Sequence, residues 1–388
     1  MAYQATIFSQ ALQTVPGLRF KFQEIVDQHE GDKRSRTLSC WTQLGAMIFG
    51  QLTGHKSLRG IEACFSSNQN HLTHLGMNPV KRSTLSDAND KRNPNVLAET
   101  FGWLLAHAKQ IAPKHPFRFK GKVTAFDSTT ISLCLSLSPW AEFRQCKGAF
   151  KLHTALDLAG NLPEFFVFTE GKVHDVTAAK NIHFQRGTML LLDRGYLDFS
   201  WLHTLTEQAV FFVTRLKDNC RFKVRHCRTT NRETGVMADQ DIRLTTVKGK
   251  KDYPDKLRRV SFRDPGTGHW YVFLTNRWDL AAKTICDLYK ARWQVELFFK
   301  TLKGNLQVDK FVGRSVNAVL WQVWAAMIAY LLVAIIRFKN KLAWAIPSIF
   351  AVLGVSIFKN ADITSIWGLA PRERTVNSGF QQLPLWSG

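Results

Sequence analysis

The stretch TMLLLDRGY, residues 188–196, constrains this chain more than any other. Met189, Leu190, Leu191 and Leu192 are consecutive apolar residues, and they run directly into an acid, Asp193. A strand covered on one face alternates apolar and polar side chains, so an unbroken apolar run predicts a strand buried on both faces. Such a strand needs a sheet with helices packed on it, and this one carries its carboxylate at the C-terminal end. The neighbouring segments agree. KVTAFDSTTISL predicts a first strand from Lys122, FKLHTALDL a second, Ala159-Gly160-Asn161 a turn, and LPEFFVFTEG a third. After the apolar run, DFSWLHTLTEQ predicts a helix and AVFFVTRL a further strand. Hairpin-connected strands followed by strands alternating with helices predict an α/β fold, a mixed sheet with helices packed on it.

Residues 217–265 break this rhythm. RFKVRH, DIRLTTV and LRRVSFRD are short basic strand candidates between polar turns, and HWYVFLTN then returns to apolar strand character. So long a gap without structure of its own would be unusual, so the segment reads as a β-rich insertion into the α/β domain. The first 111 residues have a different pattern. SCWTQLGAMIFGQL and NVLAETFGWLLAHAKQI suit amphipathic or buried helices, and NPVKRSTLSDANDKRNP holds a short polar helix with Lys81, Arg82, Lys91 and Arg92. APKHPFRFKGK, residues 112–122, reads as a linker. No internal repeat stands out.

Composition narrows the partners. The 388 residues carry 52 Lys+Arg against 30 Asp+Glu, a formal charge of +22, and the bases are spread along the chain. That excess attracts polyanions, and points to nucleic acid ahead of an anionic membrane surface. The seven cysteines form no CxxC pair, which argues against a structural zinc site and suits reduced thiols. The N-terminal MAYQATIFSQALQ lacks a basic region followed by an apolar core, so no signal peptide is expected. VWAAMIAYLLVAII, residues 323–336, is uncharged. Its core falls short of the roughly 20 residues of a membrane span, and a buried core helix is the expectation.

Two acids strain a purely structural account. Asp127, in VTAFDST, sits in or at the end of a strand flanked by Val123, Ala125 and Phe126, and Asp is depleted in strands. Asp193 ends the apolar run. Two carboxylates on adjacent central strands would repel each other unless a cation lies between them. A third acid lies in YKARWQVELFFKTLKGNLQ, residues 289–307. At about 100° per residue on one continuous helix, Tyr289, Arg292, Glu296, Lys300 and Lys303 share an arc of roughly 80° between apolar walls. Exposed ion pairs Arg292–Glu296 and Glu296–Lys300 explain the spacing. A charged stripe lining a cleft explains the apolar walls as well.

Tyr289-x2-Arg292-x3-Glu296-x6-Lys303 matches the Y-R-E-K signature of bacterial insertion-sequence transposases of the DDE class. With Asp127 in TAFDSTT and Asp193 in LLLDRGY standing as first and second acids, the segment from Lys122 to Gly313 resembles that family. The RSTLSDAND stretch is similar to the domain that precedes the core in one branch of it.

The resemblance implies a ribonuclease H-like mixed sheet flanked by helices over residues 122–313, interrupted by the β-rich insertion at about 217–265. An all-helical DNA-binding domain over 1–111 and a helical region over 314–388 packing on the core complete the expected organisation. It implies Asp127, Asp193 and Glu296 as catalytic acids and ligands of two Mg²⁺ ions, with Mn²⁺ as a substitute. Asp127 would bridge the ions, and Asp193 and Glu296 would each hold one side. Phosphodiester displacement needs an activated water or 3′-hydroxyl and a stabilised leaving oxygen, which a pair of divalent ions supplies. Arg292 and Lys303 would hold the DNA backbone, Tyr289 would pack or hydrogen-bond there, and Arg194 and Tyr196 are further candidates for DNA contact. Lys300 shares the arc but not the signature, which leaves DNA contact or a salt bridge to Glu296. His153 and His174 suit structural or DNA-contacting roles better than Mg²⁺ ligation.

The implied function is cut-and-paste transposition: binding of element ends, Mg²⁺-dependent DNA cleavage, and strand transfer into a target. The implied partners are double-stranded DNA and a second copy of the chain in the DNA complex, without a membrane, in the bacterial cytoplasm near the nucleoid. The alternative is a catalytically inactive DNA-binding protein derived from such an enzyme.

Overall fold

The computed structural model describes residues 5–33, 35–132, 149–170, 174–306 and 315–368, with backbone only at 131, 132, 149, 150, 168 and 170. Helices α1 (Ile7–Leu12), α2 (Leu18–Gln28), α3 (Cys40–Leu52), α4 (Leu58–Ser67), α5 (Gln69–Thr73), α6 (Arg82–Lys91) and α7 (Asn95–Ile111) come first. Then follow β1 (Val123–Ser132), β2 (Ala149–Asp157), β3 (Leu162–Glu170), α8 (Asp175–Lys180), β4 (Met189–Leu192), α9 (Phe199–Glu207) and β5 (Phe211–Arg215). The next elements are β6 (Phe222–Arg228), β7 (Val236–Leu244), α10 (Val247–Asp252), β8 (Leu257–Arg263) and β9 (Trp270–Thr275). Helices α11 (Ala282–Ala291), α12 (Trp293–Gly304), α13 (Val316–Lys339) and α14 (Ile346–Ser356) complete the described chain.

The described residues fall into two compact units, one drawn from 1–113 and 298–371, the other chiefly from 114–130 and 151–297. In the helical unit, α7 buries Val96, Leu97, Thr100, Phe101, Leu104, Leu105 and Ala108, the three-and-four spacing of an amphipathic helix. Helix α3 is buried around its whole circumference, and Ser39 caps it by accepting from the Thr42 N–H at 3.1 Å. Helix α13 contains the apolar run 323–336 and is buried along nearly all its length, as expected of a core helix.

Helix α13 packs on α3, α6 and α7, and residues 298–306 and 315–368 group with the N-terminal helices. The cause is the composition of α13. A helix apolar on every side needs neighbours on every side, and α3 and α7 supply apolar faces of their own. Residues 307–314 and 369–388 lie outside the described residues.

The second unit is built on one sheet with strand order β3-β2-β1-β4-β5-β9-β8-β7-β6. Strands β1, β4 and β5 are parallel, with Phe126 in register with Leu192 and Leu190 with Phe212. The four-residue connection from β2 to β3 allows only a hairpin. Its turn places Gly160 and Asn161 at φ of 79° and 57°, the left-handed values of a tight hairpin loop. Strand β4 is fully buried, as the apolar run predicts. One side of the sheet carries Phe126, Leu190, Leu192 and Phe212 in a core with Trp201, Leu202 and Leu205 of α9. Helix α11 packs against β4, β5, β8 and β9. The basic strands β6, β7 and β8 extend the same sheet, because the apolar β9 pairs antiparallel with β5 and β8 pairs with β9.

Candidate active site

Parallel pairing fixes the first two acids. Asp127 and Asp193 each follow the last registered pair of β1 and β4, Phe126 and Leu192, so both carboxylates emerge at the same edge of the sheet. That edge, beyond the C-terminal ends of parallel strands, is where α/β sheets bind ligands. Asp127 Oδ1 accepts from the Ser128 N–H at 2.8 Å. Asp193 Oδ2 accepts from the Gly195 N–H at 3.2 Å and so caps the turn Arg194–Tyr196, while its backbone oxygen accepts from Thr214 Oγ1 on β5 at 3.3 Å.

The third acid arrives on a helix that is not continuous. α11 ends at Ala291 and α12 begins at Trp293, with Arg292 as the junction. The Arg292 N–H donates to Tyr289 O and the Val295 N–H to Arg292 O, both at 3.1 Å, which are tight three-residue bonds. The single straight helix expected over 289–307 is therefore corrected to two helices. The junction residue makes long-range contacts at the same point. Arg292 Nη1 donates to Asp127 Oδ2 at 3.1 Å, and Nη2 donates to Glu296 Oε1. Arg292 is only 7% exposed, and its Nε has no hydrogen-bond partner among the described residues.

Tyr289 supports the guanidinium from below. Its ring lies 5.6 Å from the Arg292 Cζ and 4.8 Å from the Phe273 ring, and it is buried. Burial raises its phenol pKa. A ring held this way packs between Phe273 and the guanidinium. Tyr196 is buried as well. It is 1% exposed, edge-on to Phe126 at 5.2 Å and near Trp201, within the core of its unit. Arg194 is half-exposed and pairs with Asp218 at 3.7 Å. Lys300 is exposed and Lys303 half-buried, both in the part of α12 that belongs to the helical unit.

The acids influence one another. Burial pushes the Asp127 carboxyl up to about 7; Arg292 and the Ser128 N–H lower it, and the charges of Asp193 and Glu296 raise it. Glu296 is also raised, by burial first and by Asp193, against Arg292. Two carboxylates thus bond one guanidinium while the charge of the third acts on the group, and carboxylate oxygens are hard donors of the kind divalent cations prefer. Among the described residues no three His, Cys, Asp or Glu groups converge tightly enough to hold a metal ion. Arg292 stands between two of the three acids.

His153 is fully buried, with Nε2 bonded to Thr169 Oγ1 at 2.8 Å, and burial lowers its pKa, consistent with a structural residue. His174 is exposed at the start of α8. Sequence reasoning passed over Ser128 and Asp175, which share a 2.8 Å hydrogen bond beside Asp127. The signal available was Asp175 itself, the acid that closes EGKVHD.

Known proteins resemble the chain over this whole region. Residues 118–332 match the family described as Transposase DDE domain, and residues 3–78 match a domain of unknown function, DUF4372. A Sinorhizobium fredii chain named as a transposase, y4zB, is 33% identical over 286 residues, 73% of this chain and 79% of its own. A Geobacillus stearothermophilus chain named as the transposase for insertion sequence element IS5377 is 32% identical over 56% of this chain and 58% of its own. A Synechocystis chain named as a transposase for element IS4SA is 24% identical over 66% of this chain and 72% of its own. Among solved structures, a piggyBac transposase synaptic complex with hairpin DNA gives a TM-score of 0.46 at 10% identity, over 94% of this chain and 82% of that one, too loose a likeness to assign a fold. The family match covers more than half of the chain and includes all three acids, and the chain belongs to the DDE-domain transposases of insertion sequences.

Proposed function

We propose that this chain binds the ends of an insertion element and catalyses Mg²⁺-dependent strand cleavage and strand transfer of double-stranded DNA. The observation that carries this reading is the geometry of the acids. Asp127 and Asp193 leave adjacent parallel strands at one edge, and Glu296 is tied to Asp127 through Arg292. The strand order β3-β2-β1-β4-β5 supports a ribonuclease H-like reading of this half of the sheet.

Asp127, Asp193 and Glu296 would hold two divalent cations, Mg²⁺ or Mn²⁺, whose chemistry is to activate the attacking oxygen and to stabilise the leaving one. The remaining steps fall to the chain's own side chains. Arg292, fixed over Tyr289, would gather the carboxylates and turn toward the scissile phosphate when DNA enters, since guanidinium matches phosphate as well as carboxylate. Arg194, Lys300 and Lys303 would hold the DNA backbone, and the bases of β6 to β8 would grip flanking duplex. In this reading the N-terminal helical domain over 1–111 recognises element ends, and two copies of the chain pair two ends in the bacterial cytoplasm.

Cleavage of linear DNA bearing the element ends, with purified protein and Mg²⁺, tests the reading. Asp127→Ala, Asp193→Ala and Glu296→Ala are each expected to abolish cleavage and to leave end binding in place. Cleavage retained in all three would overturn the site. Binding with no cleavage by the wild type would identify an inactive DNA-binding derivative.

A further inference from the structure

A second polar group lies on the other face of β1 and takes no part in the reading above. Side chains alternate along a strand, so Phe126 and Ser128 share one face and Asp127 takes the other. On the Phe126 face, Ser128 Oγ donates to Asp175 Oδ1 at 2.8 Å. Lys151 Nζ stands 3.2 Å from the same oxygen, and the Nδ1 of buried His153 stands 4.0 Å from it. That Nδ1 has no hydrogen-bond partner among the described residues. Asp175 opens α8, where the helix dipole favours a carboxylate.

Ser128 links this group to the first acid. Its hydroxyl is anchored to Asp175, while its N–H donates to Asp127 Oδ1 at 2.8 Å. Anchoring the hydroxyl fixes the peptide whose N–H aims the Asp127 carboxylate. Lys151 balances the charge of Asp175, so the anchor adds no net negative charge beside three acids that already repel one another.

We propose that Asp175 is a positioning residue for Asp127, acting through Ser128, with Lys151 neutralising it and His153 holding its side of β2. This rests on the reading of Asp127 as a catalytic acid. Partners one step removed from catalytic ligands typically contribute about 10–100-fold in activity or metal affinity.

The test uses the full chain, element-end DNA and Mg²⁺, with single-turnover cleavage rate and metal-free end binding measured separately. Asp175→Ala and Ser128→Ala should each slow cleavage by about 10–100-fold with end affinity unchanged. The double variant should be no slower than the worse single one, since both break one chain of contacts. Ser128→Thr keeps the hydroxyl and should restore the rate, and this pair decides the matter if Asp175→Ala fails to fold. A full cleavage rate in Asp175→Ala, losses that multiply in the double variant, or a Ser128→Thr as slow as Ser128→Ala would overturn the proposal. If Asp127→Ala also cleaves, the site itself is misread; if Asp127→Ala is dead while Asp175→Ala is fully active, only this inference fails.

Discussion

Arg292 Nη1 donates to Asp127 Oδ2 at 3.1 Å, joining side chains 165 residues apart, while the same guanidinium holds Glu296 one helical turn away. Removing it leaves two half-buried acids without their cation. Breaking a buried pair costs about 3–5 kcal/mol, and the partial exposure of both acids reduces this to about 2–3 kcal/mol. Urea denaturation of Arg292→Ala without divalent ions should show that loss. Arg292→Lys should recover only part of it, because an ammonium does not fork between two carboxylates. Mn²⁺ should raise the unfolding temperature more in Arg292→Ala than in the wild type. Unchanged stability would mean that these two bonds contribute nothing net.

The Asp127 carboxyl, raised to about 7, gives an unusual pH dependence. An ordinary unfolded-state Asp titrates near about 4, so between these values the native state holds a proton that the unfolded chain has released. The stabilisation is full below about pH 4 and is lost as pH rises toward about 7. Asp127→Asn does not titrate. Over that window the metal-free wild type should lose stability relative to Asp127→Asn, as read from denaturation at a series of pH values. Parallel stability curves would show that Asp127 is not raised.

The Tyr289 ring is packed against Phe273 and the Arg292 guanidinium. Tyr289→Ala should destabilise the fold by about 3–5 kcal/mol, the usual cost of removing a buried aromatic ring. Tyr289→Phe keeps the ring against Phe273 and should leave both stability and DNA affinity near wild type. A large loss of end binding in Tyr289→Phe, measured by gel shift, would return the hydroxyl to a DNA contact.

Exposed bases should act through the salt dependence of binding. Each phosphate contact adds about 0.9 to the slope of log K against log salt on duplex DNA. Arg194→Ala and Lys300→Ala should each lower that slope by about 1. Tyr196→Phe, a core substitution, should leave it unchanged. Slopes that ignore Arg194 and Lys300 would remove both from the DNA path.

Local patterning made much of this fold legible. The run Met189–Leu192 reads as a doubly buried strand because nothing polar interrupts it, and Gly160-Asn161 reads as a hairpin because few residues accept positive φ. The uncharged run 323–336 reads as a core helix because it falls short of a membrane span, and it lies buried within α13. Other features depend on partners far away in the chain. Periodicity carried a single helix through Arg292, since no propensity marks the junction where its guanidinium engages Asp127. Tyr196 reads from the sequence as a candidate DNA contact beside Asp193, and only the fold shows Phe126 and Trp201 against its ring.

The sequence by itself determined the strands, the core helix and the two acids set against apolar strand residues, because burial periodicity and such acids are written residue by residue. The tertiary structure alone decided which side chains those acids meet. Sheet order brings β1 beside β4, and only the folded chain brings Arg292, 165 residues away, within hydrogen-bonding distance of Asp127. It also decided where α13 packs, since an all-round apolar helix accepts any apolar neighbour and the chain's path selects among them.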